Sequence, residues 1–345
     1  MYLIKEEIFS QYKALKKTYE YFIGKAAVIK DIKENKFNSL TFIGSGSSYC
    51  LSKSGEISAK MQLGIPANSL AAGDLILNFS HYDNYIRNTI MIIITRSGST
   101  SEIILALKEV KNKFNIPCIL ICARNNSDLS NIVDLNLEIP WAFDESVCQT
   151  RTVSNLYTGN LLLLAIMANN QMLIKEIKSA IDNGDKFIAQ YTDFLKKIAQ
   201  SSSWNKVVVL ADSELQGIAE EGALAFKEIS QVPSNYYHIL DVRHGPIVMI
   251  DKKTLVIIAS SPERVSYQAD LIGDLKDKGA KVVTIGNEDE KFNNVDLHIT
   301  IPAFKNYGVR GIPFIFVVQA IAYFKAICKG VNPDAPDGLD PWIKL

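Results

Sequence analysis

The chain of 345 residues is 48% hydrophobic, so it is long enough to bury the cores of two domains. Its 37 basic and 37 acidic side chains balance, which excludes the surplus of positive charge that attracts nucleic acid or an anionic membrane surface. The five cysteines show no spacing typical of zinc ligands, so we expect reduced, buried thiols in a cytoplasmic protein without a metal ion.

The amino-terminal segment, residues 1–21, is charged and helix-like and does not resemble a signal sequence. Residues 155–170 and 313–330 come nearest to a membrane span, but both contain polar residues and are shorter than the roughly 20 apolar residues that a span needs. They are therefore predicted to be buried helices.

Short β-branched segments alternate with longer helical patterns along the chain, which is typical of parallel sheets with crossover helices. Eight strands are predicted, and each one in the second half lies about 160 to 170 residues after a counterpart in the first half. The last pair share the pattern D-L-x-[LI]-x-I-P, which indicates an internal duplication. The predicted strands are residues 40–44, 90–96, 116–124, 134–140, 207–212, 254–260, 280–286 and 296–302.

The predicted fold is therefore α/β, with two similar domains that each contain a mainly parallel, doubly wound, flavodoxin-like sheet flanked by helices. We place the first domain, with an N-terminal helix, at residues 1–170 and the second at residues 201–330. The amphipathic residues 171–200 are predicted to be connecting helices, and the Pro- and Asp-rich residues 331–345 an irregular tail.

A turn rich in Gly and Ser follows the first predicted strand, in the sequence TFIGSGSSYCLSKSGE of residues 41–56. At the start of a helix, backbone N–H groups lack partners and the positive end of the helix dipole attracts anions. Small residues let an anion approach the backbone, and hydroxyl groups add donors. The turn formed by Ser45, Gly46, Ser47 and Ser48 is therefore predicted to bind phosphate.

A second turn of the same kind follows the next predicted strand and contains Ser97, Ser99 and Thr100. In an open parallel sheet, two such turns at neighbouring strand ends face one crevice and could hold one phosphate without a lysine. The alternative interpretation is that these hydroxyl groups only cap their helices. Because two matched turns occur, we favour the phosphate site.

Other phosphate-binding motifs do not fit the sequence. GSGSSY lacks the third Gly of G-x-G-x-x-G, no acidic ribose partner follows about 20 residues later, and no G-x-x-x-x-G-K-[ST] occurs. A dinucleotide or a nucleoside triphosphate is therefore disfavoured.

The second half carries two candidate acid–base residues, Glu228 on a predicted helix and His244 in the sequence RHGP. A carboxylate can carry a proton between adjacent carbon atoms, and an imidazole that titrates near neutrality is suited to opening a sugar ring. Taken singly, Glu228 is more typical of a solvated helix carboxylate, and His244 of a loop residue that makes hydrogen bonds, than of catalytic groups.

Five motifs, in this order along the chain, resemble those of double sugar isomerase (SIS) domain proteins: GSGSSY, TRSGSTSE, ESVCQTRTVSNL, EGALAFKEIS and RHGPIVMID. The similarity covers nearly the whole chain. It extends to the isomerase half of glucosamine-6-phosphate synthase, to AgaS-type phosphosugar isomerases and deaminases, and to fructosamine-6-phosphate deglycases.

The resemblance implies that Glu228 moves a proton between C1 and C2 of the sugar. It also implies that His244 opens the sugar ring and reaches the site from a neighbouring subunit, so that a homodimer with shared sites is expected. The phosphate- and sugar-binding residues that it implies are Ser47, Ser48, Thr95, Arg96, Ser97, Thr100, Val147, Cys148, Gln149 and Thr150.

Two departures from glucosamine-6-phosphate synthase bear on the reaction. Ala225 stands where the synthase has a lysine, and Pro341 stands at the position of a lysine in the tail, with Lys344 the nearby candidate to replace it. Because both lysines are replaced, the resemblance does not by itself decide whether the chain catalyses isomerisation.

The expected function is an enzyme without a cofactor that isomerises or deaminates an amino-sugar 6-phosphate, or both. One alternative is a deglycase of amino-acid–fructose 6-phosphates. A second alternative is a sugar-phosphate sensor without catalytic activity. The sensor is disfavoured because Glu228 and His244 are both present.

Overall fold

The computed structural model describes residues 2–33 and 37–340, which form two compact units. The first, the amino-terminal unit, is Phe9–Asp182 apart from residues 34–36. The second, the carboxy-terminal unit, is Asn183–Leu339 together with residues 2–8. The division falls inside the segment 171–200 that we predicted to connect two domains.

The amino-terminal unit contains a five-stranded sheet with helices on its faces. All four strands predicted in this half are present. Helix α1 (Leu3–Phe9) precedes these elements in the chain, but nearly all of it belongs to the carboxy-terminal unit. Within that unit, the N–H groups of Leu3 and Ile4 donate to the carboxylate of Asp334. The elements of the amino-terminal unit are α2 (Gln11–Gly24), α3 (Ala26–Lys33), β1 (Ser39–Gly44), α4 (Ser47–Leu63), β2 (Ala67–Ala71), α5 (Ala72–Leu77), α6 (Asp83–Ile86), β3 (Thr89–Thr95), α7 (Ser101–Lys113), β4 (Cys118–Cys122), β5 (Leu135–Glu138), α8 (Arg151–Met167) and α9 (Gln171–Asp182).

The carboxy-terminal unit also contains five strands, including all four that were predicted. Its elements are α10 (Gly184–Gln200), β6 (Lys206–Leu210), α11 (Gln216–Ser230), β7 (Ser234–Tyr237), β8 (Thr254–Ala259), α12 (Val265–Asp277), β9 (Lys281–Gly286), β10 (Leu297–Thr300) and α13 (Gly311–Lys329).

The two sheets have the same topology, with strand orders β2-β1-β3-β4-β5 and β7-β6-β8-β9-β10 and only parallel pairs. The strand order reverses between β1 and β3 in one sheet and between β6 and β8 in the other. This confirms the predicted doubly wound α/β fold. Open sheets of this kind bind ligands at the carboxyl ends of the strands where the order reverses.

Side-chain contacts support the internal duplication. The aspartate that opens the shared pattern accepts a hydrogen bond from the neighbouring strand in both units: Asp134 from the N–H of Cys118 at 2.7 Å, and Asp296 from the N–H of Val282 at 2.8 Å. Each carboxylate also binds a lysine of the preceding helix, Lys111 at 2.6 Å and Lys276 at 2.8 Å.

The sequence did not predict β2 and β7, whose sequences are ANSLA and SNYY. Both are edge strands, and three of the five residues of β2 and three of the four residues of β7 are at least partly exposed, so these strands lack the continuous apolar and β-branched residues of the central strands.

The two most apolar helices lie in the cores of their units, as predicted. Within the described residues, the stretch Tyr307–Lys329 is apolar and long enough to cross a membrane, but 83% of its most apolar window is buried. It includes α13, which packs against α10 and α11. Helix α8 is buried at every residue from Thr152 to Met167.

The prediction of buried thiols is confirmed for four cysteines and wrong for Cys328, which is exposed at the end of α13. Burial raises the pKa of Cys118 to about 12 and that of Cys122 to about 11. These two thiols are thus held in the neutral form, which is a poor nucleophile.

Candidate active site

The two hydroxyl-rich turns lie side by side at the carboxyl edge of the amino-terminal sheet. Strands β1 and β3 are parallel neighbours, with Ile43 opposite Ile93, so the turns that follow them begin together. They flank the point where the strand order reverses. The structure therefore brings the predicted phosphate-binding residues of both turns to one crevice.

The first turn leads into α4, which begins at Ser47. Gly46 precedes it with φ 56° and ψ −127°, a conformation that residues with a Cβ adopt only with strain. Ser47 and Ser48 are 5% and 3% exposed. The hydroxyl oxygen of Ser45 is also buried and has no hydrogen-bond partner within the described part of the chain.

The second turn is held by its own hydroxyl groups. The Thr95 hydroxyl accepts a hydrogen bond from the N–H of Gly98 at 3.2 Å, and the Ser97 hydroxyl accepts one from the N–H of Ser99 at 3.2 Å. A hydroxyl group that accepts still has its own proton to donate. The turn thus orients its hydroxyl groups and leaves donors for a ligand.

Helix capping does not account for the turns. Neither Gly46 at the start of α4 nor Thr100 at the start of α7 makes a side-chain cap. The N–H groups of Ser48 and Tyr49 donate to the carbonyl oxygens of Ser45 and Gly46 at 3.2 and 2.9 Å, whereas the N–H of Ser47 makes no hydrogen bond within the described residues and is available to a ligand. The hydroxyl groups of Ser47, Ser48 and Thr100 make no hydrogen bond to residues 2–33 or 37–340. The arrangement is typical of an anion site.

Gly98 is a site residue that the sequence analysis missed. Its φ is 63°, and a Cβ atom at this position would lie 2.3 Å from the side chain of Ser127. The turn therefore packs directly on the loop after β4, where no larger residue fits. A glycine between two serines after a predicted strand indicates a tight turn that requires glycine, but the sequence analysis named only the hydroxyl residues of this turn.

The predicted sugar-lining segment, Val147 to Thr150, is tied to the second turn by Arg96. This side chain is 5% exposed, and its Nη1 donates to the carbonyl oxygens of Ser146 and Val147 at 3.0 Å each. Arg96, predicted as a ligand contact, thus positions the segment through its backbone.

Asp144 is a second residue that the sequence analysis missed. It is 1% exposed, and its Oδ2 accepts the N–H groups of Thr150 at 2.7 Å and Thr152 at 2.8 Å. The carboxylate satisfies backbone donors at the start of α8 and fixes the end of the sugar-lining segment. Cys148 is buried there, and the buried Gln149 Oε1 has no hydrogen-bond partner among the described residues.

The carboxy-terminal unit has a carboxylate of its own at the corresponding edge. Ser260, directly after β8, donates to Glu290 Oε2 at 2.7 Å, and both terminal nitrogens of Arg310 donate to the same carboxylate at 2.7 and 2.8 Å. Glu290 and Arg310 are 1% and 3% exposed at their side chains. An internal anion thus neutralises Arg310 here, whereas the turns of the amino-terminal sheet leave hydroxyl groups unbonded.

Glu228 and His244 lie on opposite faces of the carboxy-terminal sheet. Glu228 is half-buried near the end of α11, which packs with α13. His244 is exposed after the 3₁₀ turn Asp241–Arg243, whose Val242 packs into the core beneath α12. Arg243 Nε also donates to Asp274 of α12 at 2.8 Å. One copy of the chain therefore does not present the two side chains from the same face.

The remaining predictions concern α11 and the tail. Ala225 is 2% exposed on α11, one turn before Glu228. Lys344 and Pro341 lie outside the described residues.

Comparison with known proteins gives a match to the SIS domain over residues 35–168 and 202–323. Among curated proteins, a glutamine–fructose-6-phosphate aminotransferase (isomerizing) from Wigglesworthia glossinidia brevipalpis is 25% identical over 98% of this chain. The one from Clostridium tetani is 26% identical over 97% of the chain. The chain spans 58% and 57% of these relatives, somewhat more than half of their length.

Two solved structures share the fold over nearly the whole chain. Glucosamine-6-phosphate deaminase from Thermotoga maritima has a TM-score of 0.85 at 24% identity, covering 99% of this chain and all of the other. Tagatose-6-phosphate ketose/aldose isomerase from Escherichia coli has a TM-score of 0.85 at 22% identity, covering 99% and 97%. With both halves matched by the family model, the chain belongs to the SIS domain family.

Proposed function

We propose that this protein is an enzyme that isomerises or deaminates an amino-sugar 6-phosphate. The observation that carries the proposal is the point between β1 and β3 where the strand order reverses, because the starts of α4 and α7 and the unbonded hydroxyl groups of Ser47, Ser48 and Thr100 lie side by side there. Hydrogen bonds to a charged partner contribute about 1.5–3 kcal/mol each, so several together can hold a phosphate dianion.

The comparisons support a hexose 6-phosphate as the ligand. The names of the relatives and of the solved structures include fructose 6-phosphate, glucosamine 6-phosphate and tagatose 6-phosphate. These proteins are named as an aminotransferase, a deaminase and an isomerase. A phosphosugar is therefore the common element, and the reaction differs among them.

In the proposed mechanism, the two hydroxyl turns hold the phosphate. His244 protonates the ring oxygen as the ring opens, and Glu228 removes a proton from one of the carbons C1 and C2. The electrons form an enediol-like or enolamine-like intermediate, and Glu228 returns the proton to the neighbouring carbon. In deamination this transfer leaves an imine, to whose carbon water adds, and the carbon–nitrogen bond then breaks to release ammonia and a ketose phosphate. General acid–base groups of this kind contribute typically about 10²–10⁴-fold in rate.

We infer that the active form is a homodimer in which Glu228 and His244 of one site come from two copies of the chain. Their positions on opposite faces of one sheet favour this arrangement. Three apolar side chains around His244 are also strongly exposed, Leu240 at 40%, Val248 at 76% and Met249 at 67%. A second copy would cover them, since apolar patches of this kind mark interaction surfaces.

The proposal is tested by incubating the protein with glucosamine 6-phosphate and galactosamine 6-phosphate and following ammonia and hexose phosphate. Glu228→Gln should lower turnover by about 10²–10⁴-fold, because the proton carrier is lost, and leave phosphosugar affinity unchanged. Glu220→Gln, two turns earlier on α11, is the matched control and should keep full turnover. Unchanged turnover of the Glu228 variant would contradict the mechanism.

A further inference from the structure

His244 lies at the end of a short loop of tight turns that follows β7. The N–H of Val242 donates to the carbonyl oxygen of His238 at 3.2 Å, and the N–H of His244 donates to that of Asp241 at 2.9 Å. Ile239 and Val242 are 1% and 0% exposed and pack into the core beneath α12. The loop is thus folded on itself, so the position of His244 depends on where His238 is held.

Asp212 holds the start of this loop. Strands β6 and β7 are parallel neighbours, with Leu210 opposite Tyr237, so the residues that follow them meet at the carboxyl edge of the carboxy-terminal sheet. The Oδ1 atom of Asp212 lies 2.8 Å from Nδ1 of His238 and accepts the N–H of Ile239 at 3.2 Å. One carboxylate oxygen therefore fixes both the backbone and a side chain where the loop begins.

Tyr236 sets the direction of the hydrogen bond between His238 and Asp212. Its hydroxyl group donates to the carbonyl oxygen of Ala211 at 3.1 Å and lies 3.2 Å from Nδ1 of His238. Because the hydroxyl proton is used on Ala211, the phenol oxygen can only accept from the imidazole, as can the carboxylate. Burial raises the pKa of Tyr236, which keeps the phenol neutral. Nδ1 of His238 thus carries a proton and donates it to Asp212.

The second anchor of the loop is weaker. Arg243, next to His244, binds Asp274 of α12 through Nε at 2.8 Å and Nη2 at 2.6 Å. These side chains are 32% and 48% exposed, and surface ion pairs contribute only about 0–1 kcal/mol. The side chain of Asp212 is also 38% exposed, but its partner Ile239 is buried, and a buried N–H that loses its acceptor costs about 1–3 kcal/mol. The loop therefore depends mainly on Asp212.

Asp212 also precedes α11, the helix that carries Glu228, so the two possible targets have to be distinguished. Glu228 lies more than three turns after the start of α11 at Gln216, or about 18 Å along the helix axis. The loop that ends at His244, in contrast, begins at atoms that Asp212 contacts directly. Asp212 is thus placed to act on His244 and not on Glu228.

We propose that Asp212 is a positioning residue that holds His244 where it can protonate the ring oxygen of the sugar. The inference deepens the proposed function and rests on it. Asp212 acts through His238 and the loop and does not contact the sugar in this role. A misplacement of about 1 Å in a reacting group can cost about 10²-fold in rate, so loss of this anchor should slow the ring-opening step.

The test compares two substrates, glucosamine 6-phosphate and its 4,5-dideoxy analogue. The analogue has no hydroxyl group at C4 or C5 to close a furanose or pyranose ring, so it needs no ring opening. Asp212→Ala should lower kcat for glucosamine 6-phosphate about 10-fold or more and leave KM within about twofold, because ring opening alone is slowed. With the open-chain analogue, kcat of the same variant should stay within about twofold of wild type.

Two further variants are the controls. Asp212→Asn keeps an acceptor oxygen, which the N–H of Ile239 orients toward the loop, and should restore kcat for glucosamine 6-phosphate to within about threefold of wild type. Asp270→Ala removes an exposed carboxylate of α12 and should leave the turnover of both substrates unchanged.

An equal loss with both substrates in Asp212→Ala overturns the inference, since a disturbed fold or a displaced Glu228 would slow both. So does unchanged turnover of glucosamine 6-phosphate in that variant. If wild-type protein turns over neither substrate, the proposed function fails together with this inference, a result distinct from the other two.

Discussion

At the scale of single residues, the crevice depends on groups that the protein leaves unbonded. The hydroxyl oxygen of Ser45 is buried and has no hydrogen-bond partner in the described residues, and Thr100 does not cap α7. Ser260 follows a central strand in the other unit, but its hydroxyl donates to Glu290. Similar hydroxyl residues after similar strands thus differ in whether they are available to a ligand.

Gly98→Ala tests the second turn. We expect a loss of about 1–3 kcal/mol in the free energy of unfolding and about 10-fold or more in phosphosugar affinity, because the new methyl group would collide with Ser127 at a positive φ. Thermal unfolding and calorimetric binding measure the two effects. Gly73→Ala on α5, where a Cβ atom meets nothing within 4 Å, should leave the affinity unchanged and raise the free energy of unfolding by at most about 1 kcal/mol. Wild-type affinity in Gly98→Ala would contradict the role of this turn.

At the scale of elements, Asp134 and Asp296 lie at equivalent positions, directly before the last strand of each sheet. Each binds the neighbouring strand and the helix that precedes that strand. Burial raises the pKa of Asp296, but the hydrogen bonds from Lys276 and from the N–H of Val282 outweigh it, so the net pKa lies below 3.8. A carboxylate whose pKa is depressed on folding stabilises the protein above the pKa of the unfolded chain. This contribution is lost as the pH falls through the folded pKa.

Asp296→Asn should therefore lower the urea midpoint at pH 7, and the difference from wild type should shrink as the pH falls below about 4. Equilibrium unfolding at several pH values measures this. Asp277→Asn, an exposed residue at the end of α12, is the control and should leave the midpoint unchanged. A difference between Asp296→Asn and wild type that stays constant down to pH 3 would rule out the charged hydrogen bonds as its cause.

At the scale of the whole molecule, the proposed homodimer predicts complementation between inactive variants. Glu228→Gln and His244→Asn should each be inactive alone. After mixing, unfolding and refolding, half of the dimers should be hybrids with one intact site, which gives about a quarter of wild-type turnover. Turnover assays on the mixture, with sedimentation to confirm the dimer, measure this. Recovery of no activity in a mixture that contains dimers would place both residues in one chain.

Much of the fold could be predicted from the sequence. The central strands are continuous apolar, β-branched segments because both of their faces are buried, and this pattern is visible in the sequence itself. The edge strands β2 and β7 were missed because they are partly solvated and polar. The two hydroxyl turns were predicted because strand, small-residue turn and helix follow each other directly along the chain.

The sequence by itself determined two parallel sheets, their duplication and the turns that begin α4 and α7. Only the tertiary structure decided which polar groups in those turns and at the sheet edges are satisfied. Ser260 is 30 residues from Glu290, Asp144 binds across a loop to α8, and Asp212 is 26 residues from His238. Strands and turns are set by neighbours in the chain, whereas a hydrogen bond or a neutralised charge depends on groups that only folding brings together.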